Sequence, residues 1–207
     1  MGKLEINAII APRDAGKSSF LYQKFVRYNE ESVPILVVDS ATDHPEKSLL
    51  RMVQASCPSV YIPSPAQEDI KPVDSINTSD CYYPLPIMEE CTATDCSTVF
   101  LADSAYYLEY GYCTDDQAIR EARRKLYREF SMQVAYAFTA LSHPGGRFLM
   151  IFDEIELEDT FGCVVEQARR QSGEIWLSLH EVSGLGNNLS LIDRLYTLSN
   201  YELVSYG

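Results

Sequence analysis

Residues 4–12, LEINAIIAP, form a short apolar run that breaks at Pro12; Gly16-Lys17-Ser18 follows, and the stretch FLYQKFVRYNEE after it has Phe20, Leu21, Phe25 and Val26 at helical spacing. A buried strand, a tight loop and an amphipathic helix are the elements that fit this order. G-x-x-x-x-G-K-[ST] between a strand and a helix is a loop that cradles phosphates. Gly16 lets the backbone turn its N–H groups toward phosphate oxygens. The helix start adds partial positive charge. Lys17 reaches the β- and γ-phosphates, and the Ser18 hydroxyl ligates Mg²⁺. The candidate nucleotide-binding residues are Ala11, Pro12, Arg13, Asp14, Ala15, Gly16, Lys17, Ser18 and Ser19. The first position of the pattern, ordinarily glycine, is Ala11.

A second motif lies past the middle of the chain. Phe148-Leu-Met-Ile-Phe152 runs into Asp153-Glu154. In a phosphate-loop protein such a strand presents Asp153 to Mg²⁺, while Glu154 orients and deprotonates a water. Local acidity is not rare here, since Glu156, Glu158 and Asp159 follow. The two motifs in this chain order are far more specific than either alone. The Glu after Asp separates classes: nucleotide hydrolases carry it, whereas small nucleotide kinases usually lack it because they must not activate water.

The rest of the chain alternates strands with helices. VPILVVDS (33–40), PSVYIPSP (58–65), STVFLAD (97–103), RFLMIFDEIE (147–156) and GEIWLSLHE (173–181) read as strands, and RLYTLSNYELVS (194–205) as one or two more. Near-continuous apolar runs suit a parallel sheet covered on both faces. Helices are expected over HPEKSLLRMVQA, around 159–171, and from the capping box Thr114-Asp-Asp-Gln117 to His143-Pro-Gly-Gly146. The expected fold is a three-layer α/β sandwich, a single domain over 1–207 with an irregular Pro- and Ser-rich insertion around 64–96.

From 147 to 200 the sequence resembles the motor ATPases of the FtsK/HerA superfamily, in particular the zonula-occludens-toxin-like and viral genome-packaging branches. The resemblance rests on the Asp153-Glu154 strand, an arginine turn at Ala168-Arg169-Arg170-Gln-Ser-Gly173, the strand Ile175–Leu179 with His180 as its polar end, and Leu189-Ser-Leu-Ile192-Asp-Arg194. With residues 4–40, where Asp39 ends V-V-D, it covers a little under half the chain. It implies a RecA/ASCE-like fold with a mostly parallel sheet in the order 5-1-4-3-2, the two motif strands adjacent in the middle. It implies ATP and Mg²⁺ at the site, with Ser18 and Asp153 as metal ligands. Lys17, Glu154 and His180 are then catalytic, with Arg169 and Arg170 as candidate fingers reaching a neighbour's site. It implies a ring that translocates or packages nucleic acid, most often DNA, through a pore or a local basic patch. The sensor position usually holds Gln, and here it is His180. Arg169 and Arg170 read equally as a solvated helix end.

Net charge argues against a broad basic surface: Lys and Arg total 17 against 30 Asp and Glu, giving −13. Arg120, Arg123, Arg124, Lys125 and Arg128 gather on one predicted helix and read as a DNA or subunit contact, or as a solvated face beside Glu121 and Glu129. Tyr106, Tyr107, Tyr110 and Tyr112 are either packing residues or base-stacking ones. Of six cysteines, four fall between 81 and 113 without a C-x-x-C knuckle; they read as reduced thiols, with a zinc site as the alternative. The start MGKLEINAII lacks a signal-peptide run and Ile6 breaks the myristoylation motif, so no membrane span and a cytoplasmic location, in a host cell if viral, are expected. Two other functions compete with the motor: a small-molecule kinase, and a nucleotide-binding scaffold with little hydrolysis.

Overall fold

The computed structural model describes residues 3–39, 49, 52–53, 60–61, 98–102, 128, 131–140, 147–154, 157, 160–199 and 202–205. The strands are β1 (Leu4–Ile10), β2 (Ile35–Asp39), β3 (Val60–Tyr61), β4 (Thr98–Ala102), β5 (Arg147–Asp153), β6 (Ser172–Leu179), β7 (Arg194–Ser199) and β8 (Glu202–Ser205). The helices are α1 (Lys17–Glu30), α2 over 131–140, and α3 (Phe161–Ala168). A run of 3-10 turns over Val182–Leu191, kinked at Gly186, was not legible in the sequence.

All eight strands join one sheet in the order β3-β4-β2-β5-β6-β1-β7-β8. Among the described residues, only the β7–β8 pair is antiparallel. This differs from the expected five-strand order 5-1-4-3-2. The sheet extends past both ends of that set, and β1 and β5, expected side by side, flank β6. β6 is buried toward both faces, as an interior strand with a partner on each edge must be, but β1, β2 and β5 share that property, so burial alone does not fix which of them β6 separates. The strands β7-β1-β6-β5-β2 run consecutively through the middle of the sheet.

Alternation along the strands divides the core in two. Ile9, Val37, Ile151 and Trp176 face Leu21, Phe25 and Tyr28, which form one stripe of α1. Ile6, Leu36, Met150, Phe152 and Leu177 face the other way, against Phe138 of α2 and Phe161, Val164 and Val165 of α3. Helices on both faces of a mostly parallel sheet make the three-layer α/β arrangement.

The insertion around 64–96, the capping box at 114–117, the tyrosines at 106–112 and the cysteines at 81–113 lie outside the described residues. Among the described residues, Cys163 is a free, exposed thiol, and no helix is long and apolar enough to cross a membrane.

Gly173, next to Phe148 in the β5–β6 register, is required by close approach. A Cβ there would lie 2.7 Å from the Phe148 ring. That ring is fully buried and packed edge-on against Phe138, so it has little room to withdraw. Gly173→Ala should therefore cost about 1–3 kcal/mol through overpacking, read as a lower urea midpoint. An unchanged midpoint would mean that the two strands are not packed this closely.

Candidate active site

The parallel strands end together, and their ends carry the chemistry. The pairings Asp39↔Asp153, Asp153↔Ser178 and Ile9↔Ser178 form one row across β2, β5, β6 and β1. Asp39, Asp153 and Ser178 are all buried. Residues 11–18 leave β1 at that edge, and His180 follows β6 there.

The loop is held at both ends. The Ala11 N–H donates to the Leu179 carbonyl at 3.1 Å, tying the loop to β6. Gly16 ends it with φ 94°, a left-handed conformation that glycine adopts without steric cost. Asp14, an exposed residue at the tip, is also left-handed at φ 60°. Ala11 is not among the positive-φ residues, so a methyl at the first position of the pattern is compatible with the backbone. No side chain caps the start of α1. Its first N–H groups are thus suited to meet an anion.

Lys17, only 4% exposed, turns back over the loop. Its Nζ donates to the carbonyls of Ala11 at 2.9 Å and Pro12 at 3.0 Å. It also lies 3.3 Å from His180 Nδ1 and 3.8 Å from Glu154 Oε1. Burial lowers its pKa, while the carboxylates of Glu154 and Asp153 oppose that shift. His180 Nε2 lies 3.3 Å from the same Glu154 oxygen. An ammonium can only donate, so Nδ1 accepts from Lys17, which leaves Nε2 facing Glu154. The histidine therefore lies between Lys17 and Glu154.

Glu154 reaches this position through a left-handed backbone, φ 58°. Non-glycine residues rarely adopt it, and it costs on the order of 1–3 kcal/mol. Such outliers cluster at functional sites. Beside it, Ser18 Oγ donates to Asp153 Oδ2 at 2.8 Å, and Ser178 Oγ donates to Oδ1. Ser18 and Asp153 give hard oxygen donors next to the loop, a set that suits Mg²⁺ completed by phosphate oxygens and water. Among the described residues no group of three or more His, Cys, Asp and Glu could hold a metal with protein ligands alone.

The sequence-derived residues divide in two. Ala11, Pro12, Gly16, Lys17, Ser18, Asp153, Glu154 and His180 converge at the strand ends. Ala15 is half-buried in the loop, and Arg13 and Ser19 are exposed on it. Arg169 and Arg170 are exposed in the turn before β6, at the opposite end of the sheet. The length of β6, about 23 Å at the usual rise, separates them from the site in the same chain. Sequence reading missed Ser178. The available signal was its two-residue offset from His180, which puts both on one face of the strand. No protein-family model matches the chain, and no curated protein matches it.

Burial, and then the neighbouring Asp39, push the Asp153 carboxyl well above the usual aspartate range. Between that range and neutrality the folded chain holds a proton there that the unfolded chain has lost, so stability falls as pH rises. In buffer with chelator, the urea midpoint of the wild type should fall more steeply across this window than that of Asp153→Asn. Equal slopes would show Asp153 already ionised in the folded chain.

Proposed function

We propose that this chain binds ATP with Mg²⁺ at the strand-end loop and hydrolyses it, as a P-loop motor acting on nucleic acid. The observation that carries the hydrolytic part is the convergence of Lys17, Ser18–Asp153 and Glu154 on one edge of the sheet. Lys17 would leave its loop carbonyls for the β- and γ-phosphates, with the uncapped N–H groups of α1 cradling the same oxygens. Glu154 would take the proton of a water as it attacks the γ-phosphorus. Once Lys17 leaves it for the phosphates, His180 would hydrogen-bond that water or the phosphate. Mg²⁺, held by Ser18 and Asp153, would neutralise charge on the phosphates.

The nucleic-acid part rests on the resemblance to FtsK/HerA motors. It requires a ring, in which Arg169 or Arg170 enters the neighbour's site. The competing scaffold reading draws on the closed pairing of Glu154 with Lys17 and His180, in which the base is already occupied. ATP turnover with and without double- and single-stranded DNA, alongside solution mass, tests these readings. DNA-stimulated turnover by a ring supports the motor. Turnover only with a nucleoside or nucleotide acceptor, by a monomer or dimer, selects the kinase. ATP binding with no turnover selects the scaffold.

Lys17→Ala should lose nucleotide affinity and turnover together, because the charge meeting the phosphates is gone. Glu154→Gln should keep ATP binding and lose about 10²–10⁴-fold in turnover, since an amide cannot take a proton from water. Equal loss of binding and turnover in Glu154→Gln would make Glu154 structural.

If either arginine is a finger, specific activity should rise with protein concentration. Arg169→Ala or Arg170→Ala mixed with Lys17→Ala should then recover part of the activity, because some interfaces join an intact loop to an intact arginine. Concentration-independent activity without rescue would sink the ring.

A further inference from the structure

Ser178 is a hydroxyl within an apolar strand, fully buried, and used on every side. Its Oγ donates to Asp153 Oδ1. The same oxygen accepts the Glu154 N–H at 3.2 Å, and the Ser178 carbonyl accepts that N–H at 3.0 Å. A serine hydroxyl has one proton to donate and lone pairs to accept with, so one side chain serves both neighbours. The consequences for the two acids differ. Asp153 has its Oδ1 engaged by Ser178, which leaves Oδ2 turned to Ser18. Glu154 has its N–H anchored on β6 where its backbone is left-handed, φ 58°, with its carboxylate within reach of Lys17 and His180.

We propose that Ser178 is the positioning residue of the site, its buried hydroxyl setting the Asp153 carboxylate for the cation and the Glu154 backbone for the attacking water. This role rests on the ATPase reading above. Ser178 touches no substrate; it acts through the two acids. Loss of its hydroxyl leaves an Asp153 oxygen without its donor and weakens the anchor of Glu154, both in a dry environment where such losses are costly. Lys17 and the loop do not depend on it, so nucleotide affinity without metal should survive.

The experiment compares wild type, Ser178→Ala, Ser178→Thr and Ser178→Cys. It measures kcat and KM for ATP, the Mg²⁺ concentration giving half-maximal rate, binding of a fluorescent ATP analogue in chelator, and thermal unfolding. In Ser178→Ala, kcat should fall about 10–100-fold, the range found when partners of metal ligands are removed. The Mg²⁺ requirement should rise, and metal-free analogue binding should match wild type. Ser178→Thr keeps the hydroxyl and should recover most of the rate. Ser178→Cys, close in size but a weak hydrogen-bonding group, should behave like alanine and stands in for it should the alanine variant unfold.

Wild-type kcat and Mg²⁺ dependence in Ser178→Ala overturn the proposal. So does an equal loss in alanine and threonine variants, which would make volume the cause. So does loss of metal-free analogue binding in step with the rate, which would make Ser178 a general structural residue. A wild-type chain that neither binds the analogue nor hydrolyses ATP overturns the ATPase reading itself, and this role with it.

Discussion

β6 is hydrogen-bonded along both edges, to β1 on one side and β5 on the other, and the geometry of the site follows from those two registers. Ile9↔Ser178 and Asp153↔Ser178 place the loop that leaves β1 across one strand from the acids that end β5. Were β1 and β5 neighbours, nothing between them could bond both the loop and the acids. With β6 inserted, Leu179 holds Ala11, Ser178 holds Asp153 and Glu154, and His180 meets Lys17 and Glu154. One strand end thus organises both halves of the site.

That arrangement is costly by the usual rules of folding. A buried ammonium and two adjacent buried carboxylates each lose solvation, and an unpaired member would be strongly destabilising. The chain meets this cost locally. Lys17 has two loop carbonyls, an imidazole nitrogen and a nearby carboxylate. Asp153 has two hydroxyls. Burial, and then Asp39 beside it in the row, raise its pKa, so a cation there would favour the ionised carboxylate over the protonated one. The strained Glu154 backbone belongs to the same pattern, with local rules broken where chemistry is expected.

Much of this was legible in the residues. Apolar runs gave β1, β2, β5 and β6; the helical spacing of Phe20, Leu21, Phe25 and Val26 gave α1; and G-K-S with D-E gave the loop and the acids. These signals are local, because periodicity and turn chemistry act over a few residues. The placement of β6 between the motif strands is different. It depends on pairing between strands far apart in the chain, since β1, β2 and β5 are buried toward both faces just as β6 is. Ser178 shows the same limit. GEIWLSLHE places Trp176, Ser178 and His180 on one face by the two-residue period, but only the β5 register reveals that the hydroxyl meets Asp153. The 3-10 run at 182–191 spaces Val182, Leu185 and Leu189 helically, but Gly184, Gly186, Asn187 and Asn188 among them are turn residues that mask the signal.

The position of Arg169 and Arg170 sets a geometric condition on any assembly. They precede β6, whereas the loop and the acids lie past its other end. A two-fold interface pairs residue i of one copy with j of the other and j with i, so it joins turn to site only if one patch spans both ends of β6 and the copies lie antiparallel. Where the turn and the site lie on separate patches, joining one copy's turn to another's site is a heterologous contact. Such contacts repeat from copy to copy and yield a closed ring when the rotation closes, or a filament when it does not. A finger role for these arginines therefore requires a second copy in either a reciprocal antiparallel dimer or a ring, and links the catalytic question to the symmetry of the assembly.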